Sequence, residues 1–170
     1  MIAYEDAVLA ARSLLGTPYS ELDCINLIKK VIRTAPGGVG KYTTAGTNSL
    51  WKSFGMAKKY RDITWRQEGL SGAQGGMLAF KRSGSDVHHV GLVTREGTVI
   101  HSSSVQGCVV EAPLEVAAGW NLLAVHRYIA PAAGQRPEGE PDETKVTIID
   151  SEENTFCPVG DFRVVLGSLD

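Results

Sequence analysis

The hydrophobic positions change period once along the chain, separating a helical first part from a strand-rich middle. Cys24, Leu27, Ile28, Val31 and Ile32 fall at i, i+3, i+4, i+7 and i+8, the single apolar stripe of an amphipathic helix. Asp23 stands immediately ahead of that stripe as a good N-cap, and Pro36-Gly37-Gly38 stops it. A first helix is read over Ala3 to Leu15, ended by Gly16 and Pro18. Residues 39–75 scatter Trp51, Phe54, Tyr60 and Trp65 with no clear period, and only Asn48 to Lys59 hints at a helix. From Met77 the period becomes two. Met77 to Lys81, Val87 to Thr94, Thr98 to Ser103, Cys108 to Glu111 and Leu122 to Ile129 read as strands. Helices followed by strands predict an α+β fold with an antiparallel sheet.

A composition shift ends this pattern. Residues 131–144 are rich in Pro, Gly and Glu and read as a linker between a domain over 1–130 and a tail over 145–170. Within the tail, Lys145 to Asp150 and Phe162 to Leu166 look like short strands, in a stretch too short for a core of its own. The chain has 170 residues, 43% of them hydrophobic, which suits one domain with a substantial core. A net charge of -2 gives no electrostatic reason to expect nucleic acid or an anionic membrane. No apolar run approaches the ~20 residues of a membrane span, and the acidic start M-I-A-Y-E-D lacks a signal-peptide core. Synthesis in the cytoplasm is therefore expected, with any action outside the cell depending on another release route. Three cysteines at irregular spacing argue against a disulfide framework and a C-x-x-C metal site.

The chemistry-bearing residues then stand out by position. Cys24 opens the second helix, where N-terminal amides and the macrodipole favour a thiolate; as part of the apolar stripe it could equally be a small buried hydrophobe. Cys108 and Cys157 lie in strand or loop contexts and read as structural. If Arg95-Glu96-Gly97 forms a three-residue hairpin loop, Thr94 pairs with Thr98, Gly91 lies opposite His101 and His89 opposite Ser103. His89 and His101 are then diagonal neighbours on one face, roughly 7–8 Å apart at the backbone. A two-residue loop would put them on opposite faces. His88 points away from this face, and Gly91 beside it is expected to leave room for a side chain or substrate. In this arrangement His89 would accept the proton of Cys24 and His101 would orient the His89 ring. No pair among Cys24, His88, His89, His101 and His126 has the spacing of a zinc motif, no phosphate loop follows Gly72, Gly75 and Gly76, and no cofactor is expected. His126 reads as a strand filler.

With these residues in place, the chain resembles the NlpC-type papain-like cysteine peptidases that cut bacterial cell-wall peptides, over about residues 5–130. L-L-G-T-P-Y (Leu14 to Tyr19) is similar to that family's entry motif, D-C (Asp23, Cys24) to its nucleophile, and G-G-M-L-A-F (Gly75 to Phe80) to its first core strand. H-V-G-L-V followed by G-T-V-I-H-S-S, ending at Ser103, is similar to its base strand and the strand of the third residue. The resemblance implies a papain-like α+β fold and a γ-D-glutamyl-type endopeptidase of peptidoglycan stem peptides. Cys24 would be nucleophile, His89 base and His101 orienter, with Tyr19 and Asp23 contacting substrate. Ile25-Asn26 stand where the family has Ser-Gly, the glycine-rich insert before D-C is absent, and Gly76 replaces an aspartate. An acyltransferase or amidase on another γ-glutamyl or isopeptide bond, and a non-catalytic wall-binding module, remain as alternatives. A phage or prophage lysis enzyme would fit the missing signal peptide.

Overall fold

The structure, a computed structural model, describes residues 1–132 together with the backbone of Pro158–Val159 and Phe162–Arg163. Among the described residues three α-helices precede the strands: α1 (Tyr4–Arg12), α2 (Cys24–Thr34) and α3 (Thr47–Lys52). The main strands are β1 (Ile63–Glu68), β2 (Leu78–Ser83), β3 (Asp86–Val93), β4 (Thr98–Ser103), β5 (Cys108–Pro113) and β6 (Leu122–His126). They form one sheet in the order β1-β6-β2-β3-β4-β5, every pair antiparallel. The α+β expectation therefore holds.

Alternation sorts the sheet into two faces. Leu78 and Phe80 of β2, Val90 and Leu92 of β3, Ile100 of β4 and Leu122 of β6 join the helix stripe (Leu27, Ile28, Val31 and Ile32) in the main core. The intervening residues Met77, Ala79, Val93, Val99 and Leu123 pack around Trp120 in a second, smaller core. Asp23 caps α2 through its Oδ1, which accepts the Asn26 N–H at 3.0 Å.

Several boundaries differ from the sequence reading. α1 stops at Arg12 because residues 13–16 turn, with Gly16 at φ 88°. The weak helix of residues 48–59 is α3 followed by two 3-10 turns. β6 ends at His126, and Ile129 instead bridges singly to Ile2. β1 escaped notice: it is an edge strand with Ile63 buried and the rest largely polar and open, so it has no apolar alternation to read. Residues 133–144 of the expected linker and the expected strand over 145–150 lie outside the described residues. In the tail, β7 (Pro158–Val159) pairs antiparallel with β8 (Phe162–Arg163), the start of the expected strand over 162–166. Among the described residues no helix is long and apolar enough to cross a membrane.

Candidate active site

The hairpin between β3 and β4 has the three-residue loop on which the histidine geometry depends. The Thr94 N–H donates to the Thr98 carbonyl at 2.9 Å, the Gly97 N–H donates to the Thr94 carbonyl, and Gly97 adopts φ 86°. The register places Leu92 opposite Ile100 and Val93 opposite Val99. His89 and His101 consequently share a face, and Nε2 of His89 lies 2.8 Å from Nδ1 of His101. Their rings meet edge to face with centroids 4.9 Å apart.

A bulge sets the aim of His89. Between β2 and β3, Lys81 pairs with His89 while Arg82 pairs with Val87, so His88 is the extra residue. The extra step lets Val87 and Val90 both reach the helix-side core while His89 turns to the other face. His88 is exposed, 3.4 Å from Ser83 Oγ.

Cys24 lies against β3 where β3 and β4 part. Ladder pairing stops at Leu92 and Ile100, although β3 extends back to Asp86 and β4 on to Ser103. The start of α2 seats at this fork. Ser102 Oγ donates to the Leu22 carbonyl at 2.6 Å, tying the approach to α2 onto β4. The backbone N–H of Val90, next in the chain to His89, points to the Cys24 sulfur, as do the N–H groups of Cys24 and Ile25. Among the described residues no hydrogen bond joins the thiol to His89.

Electrostatics set the resting protonation, and here one expectation is reversed. Burial pushes the Cys24 thiol up, outweighing the amides of Val90, Ile25 and Cys24; the Asp23 carboxylate adds to the upward shift. The helix-start position thus does not produce a thiolate at rest. Burial also lowers His89 to about 4 and His101 to about 3, with the Lys81 ammonium adding to both shifts. At rest the thiol and both imidazoles are neutral.

Tyr19 and Asp23 border the same thiol. Burial, and after it the charges of Cys24 and Asp23, raise the Tyr19 phenol. Tyr19 is held by its N–H, which donates to the Gly107 carbonyl at 2.9 Å, so the segment before α2 runs along β5. Asp23 is the observed N-cap, with its side chain half-buried.

Two residues of this site went unread in the sequence. Trp120 packs its ring against both imidazoles, with centroids 5.3 Å from His89 and 5.1 Å from His101. Lys81 places Nζ over the other part of this cluster, 4.8 Å from the Trp120 ring centre. Lys81 was visible as a strand residue, but its partnership with His89 depends on the bulge. Gly91 also plays a different part from the one expected. A Cβ there would lie 2.6 Å from Val99 Cγ2 and 2.9 Å from His101 Cβ, so its room is filled by β4 rather than left for substrate.

Cys108, read from the sequence as structural, is disulfide-bonded. Cys24 is the free cysteine among the described residues. Among them, no group of three or more His, Cys, Asp or Glu is placed to hold a metal.

Comparison with known proteins is sparse. No family model matches the chain, and no curated protein matches it. One similar solved structure is the crystal structure of the NlpC/p60 domain of the peptidoglycan hydrolase SagA. It is 21% identical, covers 71% of this chain and 97% of its own, and superposes with a TM-score of 0.47.

Proposed function

We propose that this protein is a cysteine endopeptidase of peptidoglycan stem peptides, cutting at a γ-D-glutamyl bond. The observation that carries the catalytic part is the hydrogen-bonded pair His89 and His101, together with a free, helix-start Cys24 whose sulfur faces the N–H of Val90, the residue after His89. The wall substrate rests on the motifs over residues 14–24 and 75–103 that resemble the NlpC-type peptidases.

On this reading the two His89 nitrogens take different roles. His89 Nε2 is occupied by His101, which leaves Nδ1 as the nitrogen available to the thiol. For Nδ1 to accept a proton, Nε2 must carry the ring hydrogen and donate it to Nδ1 of His101. His101 then keeps its own hydrogen on Nε2. With a raised thiol and a lowered imidazole, proton transfer accompanies attack rather than preceding it.

In the first half-reaction Cys24 Sγ forms a bond to the γ-carbonyl carbon while its proton passes to His89 Nδ1. The developing oxyanion is met by the Cys24 N–H, which points towards the sulfur at rest and is not capped by Asp23, whose carboxylate takes the Asn26 N–H. Collapse breaks the C–N bond, and His89 returns the proton to the leaving amine. Water then attacks the thioester, giving its proton to His89, and the regenerated thiol leaves a carboxylic acid product. Tyr19 and Asp23, beside the sulfur, contact the peptide on the acyl side. The proposed place of action is the cell wall.

Mass spectrometry of muropeptides before and after treatment tests this reading. The wild type should convert crosslinked or free stem peptides into two fragments separated at the γ-D-glutamyl bond, and Cys24→Ala should leave them intact. Undiminished cleavage by Cys24→Ala would overturn the nucleophile assignment. Products that carry an added amine in place of water would instead identify an acyltransferase.

A further inference from the structure

A second polar site lies at the opposite end of the sheet. It is a cavity of about 530 Å³ formed by the segment after α2, the 3-10 turns after α3 and the end of β6. That volume is in the range of small-molecule sites. Its position separates it from Cys24 and the histidines. Ala124 pairs with Leu78 whereas His89 pairs with Lys81, so the end of β6 at His126 is roughly 16 Å along the strands from His89.

The charge of the lining is one-sided. Lys41, Lys59 and Arg127 face it, against the single carboxylate of Asp62. That carboxylate is already committed: Oδ1 pairs with Arg127 at 2.9 Å and Oδ2 accepts the Tyr42 hydroxyl at 3.1 Å. Among the described residues the buried Arg127 Nε has no hydrogen-bond partner, so its hydrogen-bonding capacity is not exhausted by Asp62. Lys41 and Lys59 are exposed and have no ion pair among the described residues. An exposed aromatic ring, Tyr60, lies beneath Lys59 Nζ at 4.9 Å and completes one wall.

We infer that this cavity binds a phosphate-bearing sugar or polyol. Two uncompensated ammonium groups and the guanidinium edge supply charge-assisted bonds for the phosphate. The Tyr60 ring offers an apolar face for the carbon skeleton, and the hydroxyls of Thr43 and Ser49 answer those of the ligand. Such a ligand would hold the protein on a phosphorylated polymer without occupying the thiol site.

Titration of the full chain, followed by backbone amide NMR shifts and calorimetry, tests the inference. The probes are glycerol 3-phosphate, N-acetylglucosamine 1-phosphate, inorganic phosphate and neutral N-acetylglucosamine. Both organic phosphates should bind at millimolar concentration with shifts confined to residues 39–62 and 126–128. They should bind about tenfold more tightly than the neutral sugar and should weaken with added salt. Inorganic phosphate binding as tightly as the esters would remove the sugar or polyol and overturn the ligand class. Equal binding of the neutral sugar, or no binding, would overturn the site. Lys41→Glu with Lys59→Glu should lower affinity about tenfold, with an unchanged thermal midpoint and unchanged stem-peptide cleavage; Lys41→Gln with Lys59→Gln replaces it if the charge reversal unfolds the chain. Unaltered affinity in a folded double variant would contradict the assignment. Cys24→Ala should keep phosphate binding, so failure of the peptidase reading is distinguishable from failure of this one.

Discussion

The same sheet carries two histidine clusters, one closed and one open. At the end of β6, His126 is fully buried and both ring nitrogens are engaged. The Tyr128 N–H donates to Nδ1 at 3.1 Å, which fixes the hydrogen on Nε2. Nε2 therefore donates to the Tyr42 hydroxyl at 3.0 Å, and that hydroxyl donates onward to Asp62. Nothing is left over to do chemistry. At the fork of β3 and β4, His89 spends Nε2 on His101, and its Nδ1 has no hydrogen bond among the described residues. Both clusters are held neutral by burial, with His126 and His101 lowered to about 3 and His89 to about 4. A depressed histidine pKa alone therefore does not distinguish a catalytic group from a structural one. The uncommitted nitrogen is the ground on which His89 is proposed as the base.

The largest expected effect separates the two clusters by function. His89→Ala should lower stem-peptide cleavage by about 10²–10⁴-fold, the usual worth of a general acid–base group, in a chain that still folds. Steady-state kinetics with a circular dichroism control checks this; retention of more than about a tenth of the activity would break the contrast. The complementary change should act on stability alone. Tyr42→Phe strands the His126 Nε2–H and removes a donor from Asp62, costing about 1–3 kcal/mol. Urea denaturation should show that loss while cleavage per folded molecule stays level. A fall in activity without destabilisation would mean that the closed cluster reaches the reaction.

Acid should weaken both clusters together. Each of these histidines binds protons less well folded than unfolded, so between pH 6.5 and about 4 the unfolded chain takes up more protons. Their contribution is complete above pH 6.5 and is lost as the pH falls, at up to about 1.4 kcal/mol per pH unit for each group. Thermal midpoints at successive pH values should decline through that window, and the decline should be shallower in His126→Leu once its lower starting stability is allowed for. A flat profile would contradict the neutral, buried state of the rings. The smallest effect concerns the open cluster only. Lys81→Met removes a cation that disfavours protonation of His89 and His101, so the acidic limb of the cleavage profile should move to higher pH. No movement would show that burial alone sets these values.

How much of this arrangement could be read beforehand follows from its physical origin. The apolar stripe of α2 and the alternation of β2 to β6 are period effects, and both are present in the chain order itself. The shared face of His89 and His101 followed from loop length at residues 95–97, and Gly97 at φ 86° meets that condition. By contrast β1 has no period, because an edge strand exposed along most of its length needs none. The direction of the Cys24 shift depends on how deeply α2 seats at the fork, which no local pattern encodes. Trp120 lies 19 positions beyond His101 in the chain, and only the closed sheet brings its ring onto both imidazoles. The role of Gly91 was misread for a related reason: a glycine between strands marks close approach, and here the approaching group is β4 itself.

The central claim is that Cys24 attacks substrate with His89 taking its proton. Intact-mass measurement of the protein, acid-quenched during turnover of a purified stem peptide, tests it most directly. The account predicts a wild-type species heavier by the acyl fragment, with the adduct mapped to Cys24, and neither adduct nor product from Cys24→Ala. Product release at an undiminished rate by Cys24→Ala would contradict it.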